Sequence, residues 1–329
     1  MSQPFDEKTN AFLQWLNHCG AEVSNKIELQ DLRQFKEGRG VVATAEIEEG
    51  ETLFRIPRSL VLTAENSKLV QDHRAVIEDF NDEPWAMLIL AMTYEYFRGR
   101  DSPWFPYLSI LPTEFNTLMY WSDHELAELR GSTVLQRIGK KQADEDFLGR
   151  MIPLMLQHAE VFFNVQPGEP IPMMPDHLLA LLHQFASTIM AYAFDLASPE
   201  TGEADEDGYV SDPDEADCPK GLVPMADMLN ADADRNNANL MSEPDFLEMK
   251  AIKPIVRGEQ IFNDYGPLPR SELLRRYGYI TDNYAIHDVV EIPSDVIIAA
   301  FHTLRPGTAM HQDVLGLVSS RLHPKKTPN

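Results

Sequence analysis

The chain has 329 residues, 43% of them apolar and 24% charged, enough for a sizeable core and within the range of globular proteins. Its formal net charge of -24 disfavours nucleic acid as a direct partner, because phosphate binding needs clustered Lys and Arg, and favours a basic protein. No apolar run reaches the roughly 18 residues of a membrane-spanning helix, and Cys19 and Cys218 give neither a disulfide framework nor zinc-ligand spacing.

The first residues, Met1 to Glu7, lack the basic and apolar segments of a secretory signal, so none is expected. Phe12, Trp15, Leu16 and Cys19 then fall on one face of a helix that Gly20 is placed to end. Val41, Val42 and Thr44 favour a strand, Glu48-Glu49-Gly50-Glu51 a turn, and Thr52-Leu53-Phe54-Arg55-Ile56 a second strand. The pair reads as a hairpin stopped by Pro57, with Leu60-Val61-Leu62 opening a further β piece. From Pro84 the pattern turns helical, with Trp85, Leu88, Ile89, Met92 and Tyr96 in register. Ser102-Pro103-Trp104-Phe105-Pro106-Tyr107-Leu108 reads as a rigid aromatic turn, and helical patterns follow over 125–135, 147–161 and 177–194. An acidic run over 200–217 has the composition of a solvated loop, with docking as a second use.

The β character returns at Leu222, and Ser271, Leu273, Leu274 and Tyr277 predict a short helix ended by Gly278. Val289-Val290-Glu291-Ile292 is β-like, 295–304 helical, and 322–329 a tail. The reading is an α+β fold in which a helical insertion interrupts one β-rich domain. The parts are 1–83, an insertion over 84–217, the second β part over 218–282, and a C-terminal piece over 283–329.

Three stretches carry candidate chemistry. Glu37-Gly38-Arg39-Gly40 is not a dinucleotide fingerprint, since the third Gly is missing and a strand follows where a helix should start. It is either an ordinary turn or a place where backbone amides approach a small ligand. The apolar run from Leu222 to Leu229 closes on Asn230, and Ile261-Phe262 leads to Tyr265 just before Gly266. Each is a polar group delivered from an apolar element; by itself, Asn230 also reads as a turn residue and Tyr265 as a half-buried strand end.

In combination with the turn after Ala43, Ser102-Pro103-Trp104, Ala191-Tyr192-Ala193-Phe194 and Arg276-Tyr277-Gly278, these pieces resemble the SET-domain protein-lysine methyltransferases. The branch is that of the Rubisco and ribosomal-protein methyltransferases, and Asn230-Ala231-Asp232 looks most like the fungal ribosomal lysine methyltransferase 4 type. The resemblance implies a β-rich SET fold with a pseudoknot and the cofactor S-adenosyl-L-methionine. It implies a basic protein substrate, plausibly a large-subunit ribosomal protein, and a nuclear or cytoplasmic location; the acidic charge, the lack of a long apolar run and the lack of a His/Cys/carboxylate cluster lead to the expectation of no direct nucleic acid, no membrane and no metal. Carried over by position, Glu37, Gly38 and Arg39 line the methionine end of the cofactor, and Asn230 and Ala231 meet adenine. Tyr192 touches cofactor or substrate, and Trp104 the substrate region, a packed core ring being the alternative for both. Tyr265 is the catalytic tyrosine, an aligner of the reacting groups more than a base.

The chain departs from the family in having Ala231 where most members have His, and in continuing only about fifty residues beyond Ile280 before the family's helical substrate-binding domain is complete. A SET-like binding module without catalysis, and methylation of histidine in place of lysine, are the competing expectations.

Overall fold

In the computed structural model, which describes residues 5–35, 37–166, 169–196, 219–290, 292 and 294–304, the chain opens with the expected amphipathic helix. This helix, α1 (Phe5–His18), buries Phe12 and Leu16, and Gly20 at φ +86° turns the chain out of it. The next strands are β1 (Glu22–Val23), β2 (Ile27–Asp31), β3 (Arg39–Ala43), β4 (Thr52–Pro57) and β5 (Leu62–Thr63). The helical block comprises α2 (Lys68–His73), α3 (Pro84–Arg98), α4 (Phe105–Leu108), α5 (Asp123–Ala127), α6 (Lys140–Asp146), α7 (Ile152–Gln157), α8 (Ala159–Phe162) and α9 (Pro175–Tyr192). Strands resume with β6 (Ala193–Asp195), β7 (Lys220–Leu222), β8 (Asn230–Ala231), β9 (Ala238–Ser242), β10 (Phe246–Ala251) and β11 (Gln260–Asn263), followed by α10 (Arg270–Tyr277).

The predicted hairpin does not form. One four-stranded sheet runs β1-β4-β10-β9 and another β2-β3-β11-β8, so β3 and β4 belong to different sheets. The turn between them is fastened to the far half of the chain: Ile47 and Ile255 exchange main-chain bonds of 3.0 Å, and the Gly50 N–H donates to the Ala251 carbonyl at 2.8 Å. Both strands are buried along most of their length. Each therefore takes two neighbours, and long-range strands supply better ones than a local partner would. Glu248 braces the first sheet, accepting from Thr52 Oγ1 at 2.7 Å and from Arg55 Nε at 2.8 Å.

Pro84 stands at the start of α3, where its missing N–H costs nothing. Residues 86–95 of that helix are buried all round, and it packs against α9. Helix α9 runs directly into β6, which with β7 and β5 makes a three-stranded sheet in the order β5-β7-β6, so the helical block returns the chain to the β core. Elsewhere the helices are shorter than their patterns suggested. The 125–135 segment is one turn of α5 and a 3-10 turn over 133–137, and the 147–161 pattern breaks into a π turn, α7 and α8. Phe194 lies on a strand and not on α9.

The chain divides into two units, 1–287 and 288–329. In the second, Val289 and Val290 form no strand, contrary to the β-like reading, and α11 (Ser294–Leu304) is the expected helix. The acidic run, Cys218 and the 322–329 tail lie outside the described residues.

Candidate active site

The site is set by the neighbours of β11. This strand pairs antiparallel with β3 on one side and parallel with β8 on the other, with Phe262 opposite Asn230 and Asn263 opposite Ala231. Tyr265 follows two residues after β11 ends, and Gly266 at φ +77° lets the chain turn away. Asn230 Nδ2 donates to the Arg39 carbonyl at 3.3 Å. Three stretches far apart in sequence, around Arg39, Asn230 and Tyr265, are thus held on adjoining strands.

Buried Asn237 fixes this arrangement. Its Oδ1 accepts the Phe262 N–H at 2.8 Å and its Nδ2 donates to the Gln260 carbonyl at 3.0 Å, so one side chain satisfies two main-chain groups of β11. The two glycines of the first stretch differ in their reasons. Gly38 has φ +68° and open space where a Cβ would be, so its need is conformational. Gly40 has no room: a Cβ there would lie 2.4 Å from Leu32 Cδ1, 2.8 Å from Gln260 Nε2 and 3.2 Å from Asn230 Nδ2. Gln260 Nε2 is buried without a hydrogen-bond partner. Two amide groups therefore crowd the same bare stretch of β3, one of them with donor capacity left over.

Glu37 is half-buried and its N–H donates to the Leu32 carbonyl at 3.3 Å. The Arg39 guanidinium packs 4.0 Å from the Phe5 ring centroid and donates to Thr9 Oγ1 at 3.2 Å and to the Ile110 carbonyl at 3.1 Å. Helix α1 and the turn after α4 thereby clamp the start of β3.

Tyr265 is half-buried and stacked on Tyr277, with centroids 3.6 Å apart and planes inclined by 8°. Burial raises its phenol well above the ordinary range, and the neighbouring phenols of Tyr192, Tyr277, Tyr279 and Tyr284 push it further. Tyr192, at the end of α9, is pushed up to about 12 by burial and then by Asp227. The Tyr279 hydroxyl is buried without a partner, and the Tyr284 hydroxyl donates to Asp264. Tyr192, Tyr265, Tyr279 and Tyr284 therefore remain protonated at neutral pH, with a proton available to donate. Trp104 is placed differently: it is a core residue, and its Nε1 donates to the Leu60 carbonyl at 3.0 Å.

The motifs singled out from the sequence did not include Tyr277, Tyr279, Tyr284, Gln260, Asn237 or Asp227 as site residues. The tyrosines share one signal, their density in the twenty residues after Tyr265. Asp227 had another, a lone acid inside an otherwise apolar run.

A SET domain family model matches residues 38–266. Ribosomal lysine N-methyltransferase 4 of Saccharomyces cerevisiae is 37% identical over 305 residues, 90% of this chain and 60% of that protein. N-lysine methyltransferase setd6 of Danio rerio is 32% identical over 286 residues, 83% of this chain and 57% of that protein. Among solved structures, the SET domain of LSMT bound to lysine and AdoHcy superposes with a TM-score of 0.63 at 22% identity, over 85% of this chain and 58% of that one. Rubisco LSMT bound to AdoMet gives 0.62 at 22% identity, over 84% and 57%. The chain spans about three-fifths of the length of the curated relatives it matches.

Proposed function

We propose, from the premise that this chain belongs to the SET-domain family, that it transfers a methyl group from S-adenosylmethionine to a lysine side chain of a basic protein. The observation that carries the proposal is the parallel pairing of β8 with β11, which sets Asn230 and Ala231 beside the strand that delivers Tyr265. The relatives are named as lysine methyltransferases, and the structural neighbours are bound to AdoMet, or to AdoHcy and lysine, in agreement with it.

The residues fit such a cofactor. The bare backbone at Gly40, the spare donor of Gln260 and the Asn230 amide come together at one place, where a Cβ would push them apart. Glu37, Gly38 and Arg39 would hold the methionine end, and Asn230 and Ala231 the adenine. The main chain of Ala231 is held in register by Asn263 whatever its side chain, so Ala in place of His leaves the backbone groups in position. When bound, the cofactor supplies an electrophilic methyl group on a positively charged sulfur.

The chain's own part is alignment and desolvation. A lysine amine must be neutral to attack, and the buried, aromatic surroundings of Tyr265 and Tyr192 would disfavour the ammonium. The Tyr265 hydroxyl, protonated, would orient amine and methyl for in-line transfer, the kind of positioning that removes several kcal/mol of barrier.

The finer reading is a ribosomal protein as substrate and action in the nucleus or cytoplasm; the name of the yeast relative supports the first. The test is incubation with isotope-labelled cofactor and a ribosomal-protein extract, followed by mass spectrometry of the labelled site. Label on lysine of a ribosomal protein is expected. Label on histidine would reassign the nucleophile, and cofactor binding without transfer would make the chain a binding module.

A further inference from the structure

Asp227 is the one buried carboxylate among the described residues with an oxygen that nothing satisfies. It lies on the turn between β7 and β8, three residues before Asn230, and the chain is strained to put it there: Met225, a bulky residue, has φ +78°. Its Oδ2 accepts the hydroxyl of Tyr107 from α4, while Oδ1 is buried without a partner. The groups that face it are few. Tyr107 comes from α4, Tyr192 from α9, and the N–H groups of Met225 and Asp227 from its own turn. No described Lys, Arg or His pairs with it. Burial pushes the carboxyl up to about 7, against the opposing effect of the Tyr107 hydroxyl and these N–H groups.

A purely structural anchor needs neither a charge nor a spare oxygen; a Ser or Asn would hold Tyr107 as well. An unpaired buried carboxylate is costly unless a cation repays it. The proposed reaction brings two cations to this place: the sulfonium of the cofactor, and the ammonium of the lysine before it loses its proton. The geometry places it there: the turn over 226–228 that carries Asp227 packs against β3, the strand of Arg39 and Gly40, and leads into Asn230 at the start of β8.

We propose that Asp227 is the buried counter-charge of the site, a positioning residue that ionises when a cation enters and so makes the site prefer the sulfonium cofactor to its neutral thioether product. The preference would help expel S-adenosylhomocysteine after transfer. The proposal rests on the cofactor reading above.

The test is calorimetric binding of S-adenosylmethionine and S-adenosylhomocysteine to the full chain between pH 6 and 8. Affinity for the sulfonium should rise about tenfold over this range, as expected when binding is coupled to loss of one proton from a group titrating near 7. Affinity for the thioether should change little. Asp227→Asn should remove the pH dependence of the sulfonium and narrow the gap between the ligands. Should that variant fail to fold, the wild-type proton count decides, measured at pH 6.5 in two buffers of different ionisation heat: protons released with the sulfonium and none with the thioether. Parallel pH profiles for the two ligands, or equal proton counts, would overturn the counter-charge while leaving the cofactor site standing. Absence of binding by either ligand at every pH would overturn both.

Discussion

The rings of Tyr265 and Tyr277 lie face to face at 3.6 Å between centroids, closer than any other aromatic pair among the described residues. Tyr277 ends α10, and Gly278 in the left-handed conformation donates its N–H to the Leu274 carbonyl at 3.1 Å. The cap of one helix thereby fixes the plane of the ring proposed to align the reaction.

With the Tyr265 ring held by stacking, its hydroxyl can be removed alone. Tyr265→Phe should lower turnover by about 10²–10³, the usual cost of one well-placed donor. Cofactor affinity and melting temperature should stay near wild type. Steady-state kinetics, calorimetry and thermal melts on the two proteins check this; normal turnover would make Tyr265 a packing residue.

The two glycines of the first stretch should respond differently. Gly38→Ala meets open space, so it should cost about 1 kcal/mol from the positive φ alone. Gly40→Ala forces Leu32, Gln260 and Asn230 apart, for about 1–3 kcal/mol of overpacking, and should weaken S-adenosylmethionine binding more than Gly38→Ala does. Paired melts and titrations decide the order.

Asp227 also has a signature in stability. Its carboxyl titrates near 7 in the folded protein and at the ordinary value of 3.8 when unfolded. Between these values the native state keeps a proton that the unfolded chain has released. Stability therefore falls as pH rises through that window and levels off above 7. Asp227→Asn should match wild type near pH 4 and be the more stable protein at pH 8, by on the order of 4 kcal/mol at most. Denaturant melts at a series of pH values measure the gap; a gap that does not grow with pH would place the carboxyl in the ordinary range.

Asn237 should prove the costliest of these to lose. Asn237→Ala strands the Phe262 N–H and the Gln260 carbonyl inside the protein, at about 1–3 kcal/mol for each group left unpaired. Hydrogen exchange at the Phe262 amide should accelerate along with the fall in melting temperature. Unchanged protection at that amide would mean that β11 does not depend on the bridge.

What the sequence determined by itself was local and ordered along the chain. Helical spacing marked α1, α3, α9 and α10, because an amphipathic period is a property of neighbouring residues. Gly20 and Gly278 marked two helix ends, because a left-handed turn demands a residue without a side chain. The motifs around Arg39, Asn230 and Tyr265 were legible as a set through their resemblance to a family. Only the tertiary structure decided how these pieces meet. Strand pairing depends on partners distant in sequence, so β3 and β4, joined by a turn that reads as a hairpin, went to separate sheets. The short strand β8 has two residues and no period to detect, yet its parallel pairing with β11 is what assembles the site. Asp227 could be read as a lone acid in an apolar run, but its missing partner could not, because satisfaction of a buried charge is settled by whatever the fold packs around it.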